Sequence, residues 1–437
     1  MASDIDGQFD VLVVGAGAGG ISAAARLAHA GYKVLIVEAL DRIGGRASTR
    51  EIGGFLCNTG ALVIEKDGAV GQLYRDLGLT LHLHEPSTAS TVAKIGKRYF
   101  NVTEGPLGWA RTVVPRILAT RARRWSTFRP DPGENTRQWL ERFTRNKALH
   151  LALDNVIGAM FAVSADQFPA DAFLHFFSED TSYKKIGMPV GGTRAVWEPV
   201  VELTQKLGGA FWLGARVEAF RFGPEGQVVG AKVRRDGEIV EISCGIVVSN
   251  IGPLATSRLA APACPPDYAN MVETWSNPAA ILTAHFASPE PLADFPCLAL
   301  FMHSKRMVYA GNFSAPELGR TPPGWHLYCA ASVPKPSTGT LDIELEKSLL
   351  IADIADHFPG FKPEMLLGID VTAHDWPAQR CIAGYDLSVD TPIANLWNVG
   401  DGVKPWGMSG TASCAESARL AVEQVMSRYP VHIFQRR

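Results

Sequence analysis

Three glycines at G-x-G-x-x-G spacing, Gly15, Gly17 and Gly20, are followed by an acid, Glu38, eighteen positions after the last of them. Those residue types in that pattern suit recognition of a dinucleotide. Glycine allows a tight turn at Gly15, a backbone approach to a diphosphate at Gly17, and close packing of a helix on a strand at Gly20. A carboxylate at Glu38 accepts hydrogen bonds from ribose hydroxyls and repels a 2′-phosphate. Ala18, Gly19 and Ala39 lie in the same two turns and complete the expected contacts.

The flanking elements must hold those residues in register. Val11 to Val14 is a continuous β-branched and leucine run, as expected of a strand buried on both faces of a parallel sheet. Helix formers run from about Ile21 to Ala30, Gly31 ends the helix, and Lys33 to Val37 is a second buried strand. The start of that helix offers free N–H groups and a partial positive charge to a phosphate.

Glycines recur beyond this unit. Gly44-Gly45-Arg46 predicts a second close backbone approach and a guanidinium near the phosphates, with Arg42 as a further cation. Gly191-Gly192 precedes a helix and strands near Phe211–Leu213 and Arg216–Phe222. A β-meander with turns at Pro224–Gly226 and Asp236-Gly237 then ends in a buried strand, and Asn250 follows it. Near the end, "LWNVGDGVKPWGMSGTASCAESARLAVEQV" reads as strand, glycine loop and a helix starting around Ser409–Thr411.

The blocks "VVGAGAGGISAA" and "VEALDRIGGRAST", with that late loop, resemble the amine oxidase and phytoene desaturase superfamily of FAD oxidoreductases, in its phytoene desaturase-like branch. The resemblance implies FAD, with the backbone of Val217 at the adenine and Asn250 beside the cofactor. It implies that Gly400 gives close approach and Asp401 meets a ribityl hydroxyl or phosphate-bound water. Met408, Ser409 and Thr411 would lie at the flavin, where the helix start favours the anionic reduced form. The family often carries aspartate where this chain has Asn58, which keeps hydrogen bonding without the charge.

The fold expected is α/β, with a discontinuous Rossmann-type FAD-binding domain and an inserted α+β substrate-binding domain. Residues 1–84, 188–264 and 375–437 are assigned to the first, and 85–187 and 265–374 to the second. The second insert predicts strands in "AAILTAHFA", "PCLALFM" and "WHLYCAAS" and a helix near Leu341–His357. A sheet covering the flavin with helices behind it is the arrangement expected.

Residues for acid–base chemistry are few. Trp406, Met408 and His374 are the flavin-proximal catalytic candidates, and Tyr183, Lys184 and Lys185 are weaker ones. For His374 a hydrogen-bonded hinge is the simpler role. His82 and His84 lack further ligands, so no metal is expected. Flavin N5 accepts a hydride from an activated C–H, so the cofactor supplies most of the chemistry. The expected activity is dehydrogenation or desaturation of a lipophilic small molecule, isoprenoids included, or isomerisation or saturation of its C=C bond. A flavin amine oxidase or protoporphyrinogen-oxidase-like oxidase is the alternative, and a non-catalytic FAD-binding protein a third reading. An electron acceptor, oxygen, quinone or other, is implied.

Bulk properties agree with a globular enzyme. The 437 residues are 46% hydrophobic and 20% charged, with a formal net charge of −2, which gives no electrostatic reason for a nucleic-acid partner. Seven dispersed cysteines suit a reducing compartment, and the acidic start "MASDIDGQFD" is unlike a targeting segment. A cytoplasmic location is expected. Arg111, Arg116, Arg121, Arg123 and Arg124 with Trp109 and Trp125 make a basic surface, and peripheral contact with the inner membrane face is the other use of such a stretch.

Overall fold

The computed structural model describes residues 8–86, 91–103, 105, 106, 113, 117, 120, 121, 124–178 and 186–434. Tyr183, Lys184, Lys185, Trp109, Arg111, Arg116 and Arg123 lie outside them. The chain opens with β1 (Gln8–Val14), α1 (Ala18–His29) and β2 (Val34–Val37). The two strands pair in parallel, and every residue of Val11–Val14 and β2 is buried, which explains their unbroken apolar runs. The helix begins earlier than its helix formers suggest. Gly17 caps it, so Gly19 and Gly20 form its first turn.

The hairpin β3 (Thr49–Ile52) and β4 (Phe55–Asn58) follows, then β5 (Ile64–Glu65), α2 (Ala69–Asp76) and β6 (Leu83–His84). Next come β7 (Thr91–Ile95) and β8 (Arg98–Asn101), then α3 (Thr136–Glu141), α4 (Lys147–Phe161) and α5 (Ala170–Ser178). The return to the first sheet runs through β9 (Ile186–Pro189), α6 (Glu198–Lys206) and β10 (Ala210–Trp212). The meander is β11 (Arg216–Phe222), β12 (Val228–Arg235) and β13 (Glu238–Ser249), followed by α7 (Pro253–Leu259) and α8 (Pro266–Trp275).

The rest of the second sheet is β14 (Ile281–Ser288), β15 (Leu298–Phe301), β16 (Met307–Asn312) and β17 (His326–Ser332), then α9 (Ile343–His357) and β18 (Leu366–Thr372). The chain closes with β19 (Leu396–Asn398) and α10 (Gly410–Arg428).

Two seven-stranded sheets organise the molecule. One has the order β10-β2-β1-β13-β12-β11, with β19 paired to β13. Its β10, β2, β1, β13 and β19 run parallel, while the meander is antiparallel. This is the Rossmann-type sheet of an α/β protein, and α1 packs between it and α10. The other has the order β18-β14-β17-β16-β15-β7-β8. One face carries Leu282, Ala284 and Phe286, which pack on Leu350, Ile354 and Phe358 around α9. Among the described residues, α9 is the helix behind this sheet, with Leu292, Phe295 and Phe361 packed beside it. On the other side α4 packs directly on part of the sheet, Gly158 against Val308 and Val333, while Leu298, Leu300 and Tyr309 look onto a cavity that α4 and α5 also line. β16 and β18 were not among the predicted strands.

Candidate functional site

A cavity of about 1490 Å³ lies between the C-terminal ends of the parallel strands, the second sheet and α3–α5. Gly15, Gly17, Ala18, Gly19, Glu38 and Ala39 all stand on its wall. Gly15 takes φ +94°, which only glycine adopts without strain. A methyl group on Gly20 would overlap the Gly15 carbonyl oxygen, so its role is packing and it is not on the wall. Glu38 accepts hydrogen bonds from the amides of Ala16 (2.7 Å) and Leu40 (2.8 Å), which fix the carboxylate at the cavity edge. Val217, Asn250, Gly44, Gly45 and Arg46 also line it.

Gly17 and Gly19 are glycines for a reason not read from spacing. A Cβ on Gly17 would fall 2.6 Å from Nδ2 of Asn250, and one on Gly19 would fall 2.7 Å from its Oδ1. The Asn250 amide is thus wedged between the first loop and Gly400, whose own Cβ would lie 2.8 Å from the same oxygen. Gly400 sits behind Asn250, off the wall, and donates its N–H to Ser417 Oγ.

Arg46 and Asp401 are on the wall, but each is committed to the other. Both Asp401 oxygens pair with the guanidinium, and Oδ2 also accepts from the Arg380 amide at 2.6 Å. Arg46 further donates to the carbonyls of Pro377 (2.8 Å) and Ala378 (2.9 Å). Burial opposes charge on Asp401, but Arg46, Lys404 and Arg380 outweigh it and hold the carboxyl well below the usual carboxylate range. Asn58 serves the scaffold: it accepts from Thr49 Oγ1 and the Thr193 amide and donates to the Ala61 carbonyl.

The late loop divides the remaining candidates. Ser409, Thr411 and Cys414 line the cavity, so the N-terminus of α10 faces into it. Ser409 Oγ is itself held by Gln379 and the Met160 carbonyl. Burial pushes the Cys414 thiol up to about 12, which keeps it neutral. Trp406 and Met408 are not on the wall. Lys404 and Asp386 form a fully buried ion pair (2.7 Å), and Asp386 also accepts the Gly407 amide (2.8 Å). This clamp turns Trp406 outward, 38% exposed and edge-on to His175 at 4.9 Å between ring centroids. Arg42 is also off the wall, 3.5 Å from Asp41. His374 does line the cavity, in the left-handed region at φ +52°, beside Asp375 and Trp376.

Sequence reasoning missed several wall residues with polar ends, Thr283, Gln379, Tyr309 and Arg380 among them. Tyr309, on β16, faces the cavity from the second sheet, and burial raises its phenol well above the usual range. Arg380, two residues after the Arg46 contact at Ala378, reaches the same wall; no motif marked it. The other half of the cavity is apolar, with Leu153, Val156 and Phe176 from the helices facing Leu298, Leu300 and Met302 from the sheet region. No group of three or more His, Cys, Asp or Glu suited to a metal occurs among the described residues.

A glycine loop, a ribose acid and a second glycine pair along one wall define the class: a dinucleotide-dependent flavoprotein. The profile of flavin containing amine oxidoreductases matches residues 18–425, and the chain belongs to that family. It is an FAD-dependent oxidoreductase. An uncharacterized protein of Methanocaldococcus jannaschii is 23% identical over 402 residues, covering 90% of this chain and 94% of that one. A phytoene desaturase (neurosporene-forming) of Rhodobacter capsulatus is 38% identical over 78 residues, which are 18% of this chain and 15% of the desaturase. An oxidoreductase from Methanosarcina mazei shares the fold, with a TM-score of 0.80 at 22% identity over 95% of this chain and all of that one.

Proposed function

We propose that this chain dehydrogenates or desaturates a lipophilic small molecule, an isoprenoid being one candidate, with FAD held along the glycine-lined wall. The observation that carries the reading is the division of one cavity into a glycine-rich half and an apolar half. The first suits a dinucleotide and the second a substrate with few polar groups. FAD supplies a hydride acceptor at N5. The protein orients the substrate against it, excludes water through the apolar wall, and sets the positive end of α10 toward the ring. Tyr309, His374, Thr283 and Gln379 are among the wall groups able to hydrogen-bond a substrate. With so few acid–base groups, net isomerisation or saturation of a C=C bond is equally compatible with the site.

The sheets support the domain division. All strands of the parallel sheet fall within 1–84, 188–264 and 375–437, and all strands of the other within 85–187 and 265–374. The electron acceptor is oxygen, a quinone or another oxidant. No helix among the described residues is long and apolar enough to cross a membrane. We place the protein in the cytoplasm, and Trp125, 52% exposed beside Arg121 and Arg124, gives a peripheral membrane contact its point of attachment.

The test is anaerobic titration of the yellow holoenzyme with polyenes, cyclic enones and amines, followed at the flavin absorbance. Bleaching by an apolar alkene or enone supports the proposal. Bleaching by amines alone, with hydrogen peroxide released in air, would replace it by the amine oxidase reading that the family's name favours. A flavin that no donor reduces would leave a binding protein.

A further inference from the structure

Arg46 and Arg380 stand on the same wall, yet one carboxylate serves them both. Both oxygens of Asp401 are taken by the Arg46 guanidinium, and Arg380 contributes only its backbone amide. The Arg380 Nε has no hydrogen-bond partner, and no ion pair to its guanidinium forms among the described residues. Asp401 and Asp375 attract it only from a distance, while Arg46 repels it. A partly buried guanidinium without a counter-charge is costly, and the cost falls when an anion arrives.

Its position says which anion. The Arg380 side chain crosses the face of Gly252, where any Cβ would overlap its Cδ, and Nε and Nη1 would lie 3.0 and 3.3 Å away. Gly252 follows β13, whose end lies beside that of β1: Val14 pairs with Ser249, and the Asn250 amide donates to the Val14 carbonyl. The guanidinium therefore hangs over the carboxyl ends of two adjacent parallel strands, next to the Gly15 loop. That crevice is where a dinucleotide diphosphate crosses a Rossmann-type sheet.

We propose that Arg380 is the counter-charge of the FAD diphosphate, while Arg46, neutralised by Asp401, braces the loop that presents it. The inference rests on FAD occupying this cavity. Guanidinium is suited to the task because its planar fork can hold two phosphate oxygens at once. Gly252 is glycine so that the fork can lie flat over the sheet end.

The experiment titrates apoprotein with FAD and with riboflavin, which lacks the diphosphate, following the quenching of flavin fluorescence. Arg380→Met should weaken FAD by roughly 30-fold or more and leave riboflavin within about threefold. Arg380→Lys, which keeps the charge but not the fork, should fall between, and serves alone if the methionine variant does not fold. The apo form of Arg380→Met should melt at the same temperature as wild-type apoprotein or higher, because an uncompensated charge is gone, yet gain less from FAD. FAD binding undiminished in both variants, or equal losses for FAD and riboflavin, would overturn the proposal. Wild-type protein that binds neither flavin would instead remove FAD from the cavity.

Discussion

Glu38 is held by two backbone amides with its carboxylate at the edge of the cavity, so it is preorganised rather than flexible. Glu38→Ala should weaken FAD about 10- to 100-fold, read by fluorescence titration, through loss of charge-assisted hydrogen bonds to the ribose. Asp401→Asn should cost about 3 kcal/mol at neutral pH, since Arg46 would lose the partner of a buried pair. The folded carboxyl titrates below the unfolded one, so this contribution is present above about pH 4 and fades as the pH falls through the folded value. Urea denaturation of both proteins should show a constant gap from pH 5 to 8 that narrows under acid.

His285 also costs stability in acid, but over a higher pH window. It is fully buried with neither ring nitrogen bonded, and burial, with Arg320 and Arg50 adding repulsion, lowers its pKa to about 3. Asp370, 3.9 Å away, is drawn toward Arg50 instead. The unfolded chain takes up a proton near pH 6.5 that the folded one refuses. Stability should therefore fall by up to about 1.4 kcal/mol per pH unit between pH 6.5 and 3 on account of this group. His285→Gln should flatten that slope in the same denaturation series.

At the scale of elements, three loops must meet: the start of α1, the turn after β13 and the loop after β19. Asn250 is the wedge among them, and the small residues around it set how closely they approach. Gly19→Ala would place a methyl 2.7 Å from the Asn250 oxygen and 2.9 Å from the Gly400 amide nitrogen. Two loops of fixed backbone must then part, so a loss of about 1–3 kcal/mol in apoprotein stability and a larger fractional loss of FAD are expected. Calorimetry with and without FAD separates the two effects. A substitution such as Gly78→Ala, with open space around it though at positive φ, should spare FAD affinity.

For the whole molecule, one cavity shared by both sheets means that cofactor and substrate are recognised by different parts of the fold. Filling the apolar half should separate them. Val156→Trp, on α4 and away from the glycine wall, is expected to leave the flavin spectrum and FAD affinity intact. The same change should lower kcat/KM by at least about tenfold for whichever substrate reduces the flavin, because the ring occupies its volume. Equal loss of FAD and substrate would mean that the two halves are not independent.

The first βαβ unit, the meander and the late strand–loop–helix were legible because each is a local pattern: apolar runs, glycines at turns, helix formers in sequence. β16 and β18 escaped because "MVYAGN" and "LLGIDVT" each contain a glycine and little alternation, and only pairing with β17 and β14 makes them strands. The chain's sequence determined that it builds a dinucleotide site, and which loops form it. Side-chain direction was decided by contacts between residues 18 to 355 positions apart. Arg46 finds Asp401 across the chain, Asp386 and Lys404 turn Trp406 away, and Arg380 is left facing the cavity without a partner. Spacing encodes backbone shape, but the charge a site leaves uncompensated depends on which long-range ion pairs form first call on each carboxylate, and that belongs to the tertiary structure alone.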